Sequence, residues 1–416
     1  MALFSSLQLG ITSKWLPVVV ARTRRLSLGR SRMVRNDPRE AREILVIRLD
    51  NLGDVVMSTP IFRELKRQCP RAKITVVVRE RCREVLENNP FLDQVVTIAT
   101  DLKSPMYRLN SVFSAYWRYL RKRRFDVVFH PRVGVDVLRE SLLVALVNSP
   151  ISIGYQCGEL LTPGFDRTQV LTYALPPPGP KNEVLANAAI VTAFTTLEFS
   201  PRTEIFPSRK DYDFADSILG SLPEGTEIAG IGFGAAERKR HWPPTLWART
   251  MGRLSERTPI AFVIYSSRED VEEAKQICAS LLPSVPVRLV VGASFLQIAA
   301  CIEKSALFLG TDSGLAHIAA AMQTPVVVVS PHPKDGDPEH TNSPERFAPF
   351  STNARVVSPA TALLPCSRGC EAIEPHCICQ VTPDEVACAA EELIRRTTQS
   401  IPIEAGSIGE HAAAAL

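Results

Sequence analysis

Two acids bracket a glycine soon after an apolar run of strand length. In LDNLGDVVMSTP, residues 49–60, Asp50 and Asp54 flank Asn51 and Gly53 directly after Ile44–Ile47. A carboxylate at the mouth of a cleft can take a proton as a general base. The same carboxylate in the first turn of a helix can equally do no more than cap exposed backbone N–H groups. Gly53 permits a tight turn and close backbone approach, and Asp50, at the strand end, is read as shaping that turn. A second constellation is IGFGAAERKRHWP, residues 231–243, where glycines precede Arg238, Lys239 and Arg240 and then His241 and Trp242. Backbone N–H groups after such glycines suit phosphate, and neighbouring cations can neutralise a diphosphate. It completes neither G-x-G-x-x-G nor the Walker pattern, and a solvated charge run is the commoner fate of such a triplet. A third is LFLGTDSGLAHIAAAMQTPVVVV, residues 307–329. There Thr311, Asp312 and Ser313 offer caps, Gly314 allows close approach, and His317 falls on the first turns of a small-residue helix. That is an anion site with an acid and a histidine beside it, or a packed helix with a satisfied core histidine.

A last group of reactive residues is CSRGCEAIEPHCIC, with Cys366, Cys370, Cys377 and Cys379 and with His376 between them. The spacing C-x3-C-x6-C-x-C departs from the paired C-x2-C of common zinc sites. Free thiols or a local disulfide stand against a metal or iron–sulfur centre, and no metal is assigned. Five other cysteines (Cys69, Cys82, Cys157, Cys278, Cys301) are dispersed and read as small buried hydrophobes in a reducing compartment.

The elements that must position these residues alternate in kind. From residue 44 onward, apolar runs of strand length (44–49, 73–78, 94–98, 126–129, 151–153) alternate with helical patterns (57–68, 81–88, 110–123, 135–147). Such alternation argues for a parallel sheet covered on both faces. PPPGP at 176–180 interrupts it, a helix follows at 183–194, and residues 199–227, rich in Pro, Ser and charge, read as a linker. The alternation restarts with strands at 227–232, 260–265, 287–290, 306–309 and 325–330 and helices at 245–256, 269–281, 296–305 and 314–322. Residues 331–382 read as irregular and 383–396 as a last helix. The expected organisation is a basic leader (1–40), a Rossmann-like domain (41–200), a linker (201–226), a second Rossmann-like domain (227–382), a closing helix (383–397) and a frayed tail (398–416). Two doubly wound α/β units place the default site in the cleft at the carboxyl ends of their strands.

With 416 residues, 45% hydrophobic and 22% charged, the chain has an ordinary globular balance, and a net charge of +4 does not argue for nucleic acid. Residues 1–36 carry seven Lys and Arg and no acid, which fits either an unstructured leader, the favoured reading, or a targeting or membrane-touching arm. The apolar piece 15–21 is too short to span a bilayer. A cytoplasmic protein is expected, peripheral at the inner face of the membrane at most, and monomeric.

Taken together, Ile44–Pro60, Gly234–Pro243 and Gly310–Pro325, with weaker echoes at 88–96, 125–132 and 151–155, resemble glycosyltransferase family 9, the bacterial ADP-heptose:lipopolysaccharide heptosyltransferases. The resemblance covers about residues 42–397 and implies the GT-B fold, two Rossmann-like domains facing across a cleft. It implies Asp54 as catalytic base and Arg240, with Lys239 beside it, on the donor diphosphate. Gly234 belongs to that phosphate loop, and Asp312, Ser313, Gly314 and Leu315 match the donor loop, with His317 as its histidine. Glu269 or Asp270 falls where the family has an acid near the donor ribose. Asn51, Gly53 and His130 fall on the acceptor side. The reaction implied is inverting transfer of a sugar, heptose by family default, from a nucleotide-diphosphate sugar such as ADP-heptose to a lipid-linked lipopolysaccharide-core or other surface glycan. No cofactor is expected, because no DxD-type pair sits beside the phosphate loops. The competing readings are a nucleotide-sugar 2-epimerase of the same fold and a non-catalytic nucleotide-sugar-binding protein.

Overall fold

The computed structural model describes residues 40–99, 105–134, 140–157, 167–195 and 197–399. The leader at 1–39, the start of the helix expected at 135–147 and the tail from 400 lie outside the described residues.

Among the described residues, twelve strands form two parallel sheets. In the first half they are β1 (Glu43–Arg48), β2 (Lys73–Arg79), β3 (Gln94–Ile98), β4 (Val127–His130), β5 (Ile151–Tyr155) and β6 (Tyr173–Leu175). The second half supplies β7 (Glu227–Gly232), β8 (Ile260–Ser266), β9 (Val287–Val291), β10 (Leu307–Thr311), β11 (Val326–Val329) and β12 (Ala354–Val357). The sheet orders are β3-β2-β1-β4-β5-β6 and β12-β11-β10-β7-β8-β9. Counted within each half, the second is the first repeated. Both carry the Rossmann order, with the chain reversing direction across the sheet between the first and fourth strands. Ile44 pairs with Ile74 on one side and Val127 on the other, and Gly310 pairs with Gly232 and Val328.

The helices in chain order are α1 (Leu52–Met57), α2 (Thr59–Gln68), α3 (Pro105–Ala115), α4 (Glu140–Val147), α5 (Glu183–Thr195), α6 (Arg209–Leu219), α7 (Pro244–Arg257), α8 (Val271–Ala279), α9 (Phe295–Glu303), α10 (Gly314–Ala321), α11 (Pro344–Phe347) and α12 (Pro383–Gln399). Ile44 to Ile47 are wholly buried because helices cover both faces of β1, as the unbroken apolar run requires. Each such side chain contributes about 1.5–3 kcal/mol on burial, so an acid at Val46 would break the strand that carries the Asp54 turn.

The structure corrects several expectations. The segment read as a linker holds α6, whose Ser208 N–H donates to Asp211 at 2.7 Å in a capping box. Ala215 is buried where α6 packs on α9, and the Tyr212 hydroxyl donates to Glu303 at 2.5 Å. Residues 81–88, expected as one helix, make two short 3-10 turns, Glu80–Cys82 and Glu84–Leu86. The helix expected at 57–68 begins earlier and breaks at Ser58, where Pro60 in the first turn of α2 cannot continue α1. Strands β6 and β12 were not anticipated.

Candidate active site

The loops after β1, β4, β7 and β10, which carry most of the charged groups, leave the carboxyl ends of strands beside the two sheet reversals. After β1, Asn51 caps α1 and the Asp54 carboxylate accepts the Asn51 N–H at 3.1 Å. Ser58 Oγ donates to the Asp54 carbonyl at 2.8 Å. Behind this turn sits Arg48, 1% exposed. Its guanidinium meets Asp50 at 3.2 Å, Asp54 at 3.5 Å and Glu183 of α5 at 3.2 Å. Glu183 also accepts from Arg346 of α11 at 2.8 Å, so one acid ties the two domains together. Burial pushes the Asp54 carboxyl above its ordinary pKa, with Glu183 adding to the rise against the pull of Arg48, the Asn51 N–H and Arg240. Its side chain keeps 18% exposure. Asp50 is engaged by both Arg48 and Arg132.

His130 does not reach the cleft. It is fully buried at the end of β4, with Nε2 2.8 Å from Glu140. Glu140 accepts the Leu49 N–H at 2.6 Å and so holds the end of β1 from below. Burial alone would raise Glu140, but the His130 hydrogen bond, Arg132, the His130 charge and Arg48 outweigh it and bring the acid down to about 2. The acceptor-side assignment of His130 is therefore replaced by a positioning one. Asn51 stays at the site, where its side-chain oxygen accepts from Arg79 at 3.0 Å and Arg81 at 2.5 Å.

Across the cleft, the loops after β7 and β10 are joined by Thr311 Oγ1, which donates to the Gly234 carbonyl at 2.9 Å. Arg240 reaches the Asp312 carbonyl at 3.2 Å, its carboxylate at 3.3 Å and Asn342 at 2.5 Å. Burial and Glu237 raise Asp312, and Arg240 lowers it, for a net rise. The Arg240 Nε and the Ser313 hydroxyl are buried without protein partners. Lys239 is occupied by Glu237 at 3.0 Å and does not line the cavity, which removes it from the donor set. His241 braces the glycine loop, with Nε2 3.0 Å from the Ala235 carbonyl and Nδ1 3.1 Å from Glu273. Trp242 anchors that loop by stacking edge-on against Trp247 and donating to the Val381 carbonyl at 3.2 Å.

The two halves meet at the N-termini of α1 and α10. A Cβ on Gly53 would lie 2.6 Å from His317 Cδ2, and one on Gly314 would lie 2.5 Å from Leu52 Cδ2. Glycine at both places lets helices from different domains touch. His317 is 5% exposed, and burial, with Arg240, pushes its imidazole down to about 4, so it is neutral at pH 7.

One cavity of about 1020 Å³ is lined by Asn51, Gly53, Asp54, Gly234, Arg240, Glu269, Asp270, Asp312, Ser313, Gly314, Leu315 and His317. Ligand sites run to about 1,000 Å³, so there is room for two substrates. Arg48, Arg81, Arg132, Glu183, Arg268 and Arg346 also line it, and no motif in the sequence flagged them. Asp270 is tied to Ser267 at 2.8 Å, whereas Glu269 is exposed. Phe233, Ala293, Phe295 and Ile298 add apolar side chains to its lining. Of the sequence-selected cysteines, Cys366, Cys370 and Cys377 come together with His376, while Cys379 is exposed outside that group.

The sequence model of glycosyltransferase family 9 (heptosyltransferase) matches residues 113–374, more than half of the chain. The chain belongs to this family. It is 26% identical over 359 residues to lipopolysaccharide heptosyltransferase 2 of Salmonella typhimurium, covering 83% of this chain and 96% of that one. Its fold is similar to that of the family 9 glycosyltransferase of Veillonella parvula, at a TM-score of 0.68 and 19% identity over 88% of this chain and 100% of that one. It is also similar to that of the Escherichia coli heptosyltransferase WaaC with ADP, at 0.58 and 18% over 84% and 99%. The chain is thus a glycosyltransferase of the heptosyltransferase type with two facing Rossmann-like domains, the GT-B fold. Among the described residues no helix is long and apolar enough to cross a membrane.

Proposed function

We propose that this family 9 member transfers heptose from ADP-heptose to a hydroxyl of a lipopolysaccharide-core acceptor, with inversion, in a single displacement. The observation that carries the reading is the meeting of Asp54 with the Arg240 and α10 loops across one cavity. The names of relatives, a lipopolysaccharide heptosyltransferase and a heptosyltransferase holding ADP, support the substrate class.

In this mechanism the acceptor oxygen attacks the anomeric carbon as the bond from that carbon to the diphosphate oxygen breaks. The hydroxyl proton passes to Asp54. Its raised pKa makes it a better proton acceptor than an ordinary surface carboxylate. The bonding electrons leave with the ADP diphosphate. Arg240, with its unpartnered Nε, and the N-terminus of α10 with the Ser313 hydroxyl receive that charge. Arg48 does not take the proton's place; it orients Asp54 and limits how far burial raises it. The neutral His317, whose Nδ1 is buried without a partner, offers one further donor or acceptor. The apolar lining by Ala293, Phe295 and Ile298 suits the base, with Glu269 at hand for a ribose hydroxyl.

Incubation with ADP-heptose and a heptose-free lipid-linked core, read by mass spectrometry, is expected to give a heptosylated acceptor and ADP in equal amounts. Consumption of donor to an isomer without acceptor, or binding without turnover, would overturn the reading.

A further inference from the structure

Outside the cleft, residues 358–382 hold only one regular piece, the 3-10 turn Cys377–Gln380. At its far end Ile378 and Val381 are buried in the core of the second domain, but earlier in the segment Leu364 is 89% exposed and Ile373 84%. Its small interior consists of Cys366, Cys370 and Cys377, at most 3% exposed, with only Ala362 and Ala372 packed against them. Between residues 362 and 377, three thiols and two methyl groups bury too little surface to hold the chain in one conformation, and short segments of this kind are usually stapled by a disulfide or a metal. The thiols are free, and pairing any two would strand the third beside a histidine.

The fourth member of the group is His376. All four donor atoms lie within 4.8 Å of one another. The imidazole Nδ1 is 3.6 Å from Cys366 Sγ and 3.4 Å from Cys377 Sγ. A tetrahedral zinc with bonds of about 2.3 Å to sulfur and about 2.0–2.1 Å to nitrogen sets its sulfur–nitrogen edges at about 3.6 Å and its sulfur–sulfur edges at about 3.8 Å. The observed edges already match in two cases, and the others need a contraction of about 1 Å at most. The Glu371 N–H donates to Cys366 Sγ at 3.4 Å, as expected around a thiolate ligand.

We propose that Cys366, Cys370, His376 and Cys377 form a closed structural zinc site, with Cys379 outside it. Soft thiolates with one imidazole select zinc over hard cations, and four protein donors leave no open position for chemistry. The site lies beside the donor loops. Arg368 pairs with Asp337 at 2.7 Å, and Gly369 packs on His340, whose Nδ1 accepts the Asn342 N–H at 3.1 Å. Asn342 in turn receives Arg240.

The test uses the full chain, purified without a metal-affinity tag or chelator and in the presence of a reductant. Elemental analysis is expected to give close to one zinc per chain, unchanged in Cys379→Ser and lost in the double variant Cys366→Ser/Cys370→Ser. Because that variant can fail to fold, the wild-type protein is also exchanged with cobalt. Tetrahedral ligand-field bands with thiolate charge transfer are expected, and a mercurial should release the metal. Metal-free protein that takes up no cobalt, iron in place of zinc, a mapped disulfide within the group, or zinc loss in Cys379→Ser would each overturn the proposal.

Discussion

The contact between Gly53 and His317 makes a sharp test of how the two domains meet. In Gly53→Ala the added Cβ would sit 2.6 Å from His317 Cδ2 and 3.0 Å from Nε2, about 1 Å inside an ordinary carbon–carbon contact. Gly53 lies in the first turn of α1 at a negative φ, so the backbone tolerates alanine. Helix propensity would favour the change by up to about 1 kcal/mol. The damage is therefore confined to the domain junction, where relieving an overpacked contact costs about 1–3 kcal/mol. If that cost falls on the closed arrangement that carries transfer, kcat/KM drops by about 5- to 150-fold. The thermal midpoint should stay unchanged. In a background of His317→Ala the clash is absent, so the added effect of Gly53→Ala should fall to within about 0.5 kcal/mol of zero. A steady-state heptose-transfer assay on the four proteins completes the cycle. Unaltered kcat/KM in Gly53→Ala, or an equal loss with and without His317, would refute the argument.

Three further outcomes follow from the site. Arg240→Met should weaken ADP binding by about 10- to 100-fold in calorimetry, the value of one charged hydrogen-bonding group, with Arg240→Lys recovering only part because the fork geometry is lost. Glu140 has a folded pKa of about 2 against an ordinary 4.5, a depressed acid, so its stabilisation of about 3 kcal/mol is present above pH 4.5 and is lost as pH falls toward 2. Denaturant melts should show Glu140→Gln weaker than wild type at pH 7, with the gap closing across that window. Asp54 must be ionised to act as a base, so kcat/KM should fall on the acid side through a pKa above the ordinary carboxylate value, in line with its burial.

Much of this framework was legible in the chain. The apolar runs at 44–49 and 306–309 read as buried strands from their alternation with helical patterns, and the polar, glycine-bearing loops after them were the candidates for ligand groups. What escaped was non-local or locally ambiguous. Arg48, Glu183 and Arg346 form one chain of charges, yet Arg48 and Glu183 are 135 positions apart and Glu183 and Arg346 are 163 apart. No spacing rule joins them. His130 looked like a site residue at a strand end, but its partner Glu140 turns it inward beneath β1. In α6, the charge-rich RKDYDFADSIL hid a helix announced by Ser208 and Asp211 at capping-box spacing. Residues 81–88 had helical composition, and Cys82, Val85 and Leu86 are buried at the spacing of one helix face, yet the segment forms two separate 3-10 turns. The cysteine group was noticed with His376 among it, but only the fold shows that Cys366, Cys370 and Cys377 meet His376 and leave Cys379 outside.

The account rests on Asp54 taking the proton. Asp54→Asn keeps the size and the Asn51 cap geometry while removing the base, and the direct measurement is its kcat for heptose transfer beside its affinity for ADP. The predicted result is a fall in kcat of about 100- to 10,000-fold with ADP binding unchanged. A kcat within about tenfold of wild type would reduce Asp54 to a helix cap and contradict the mechanism.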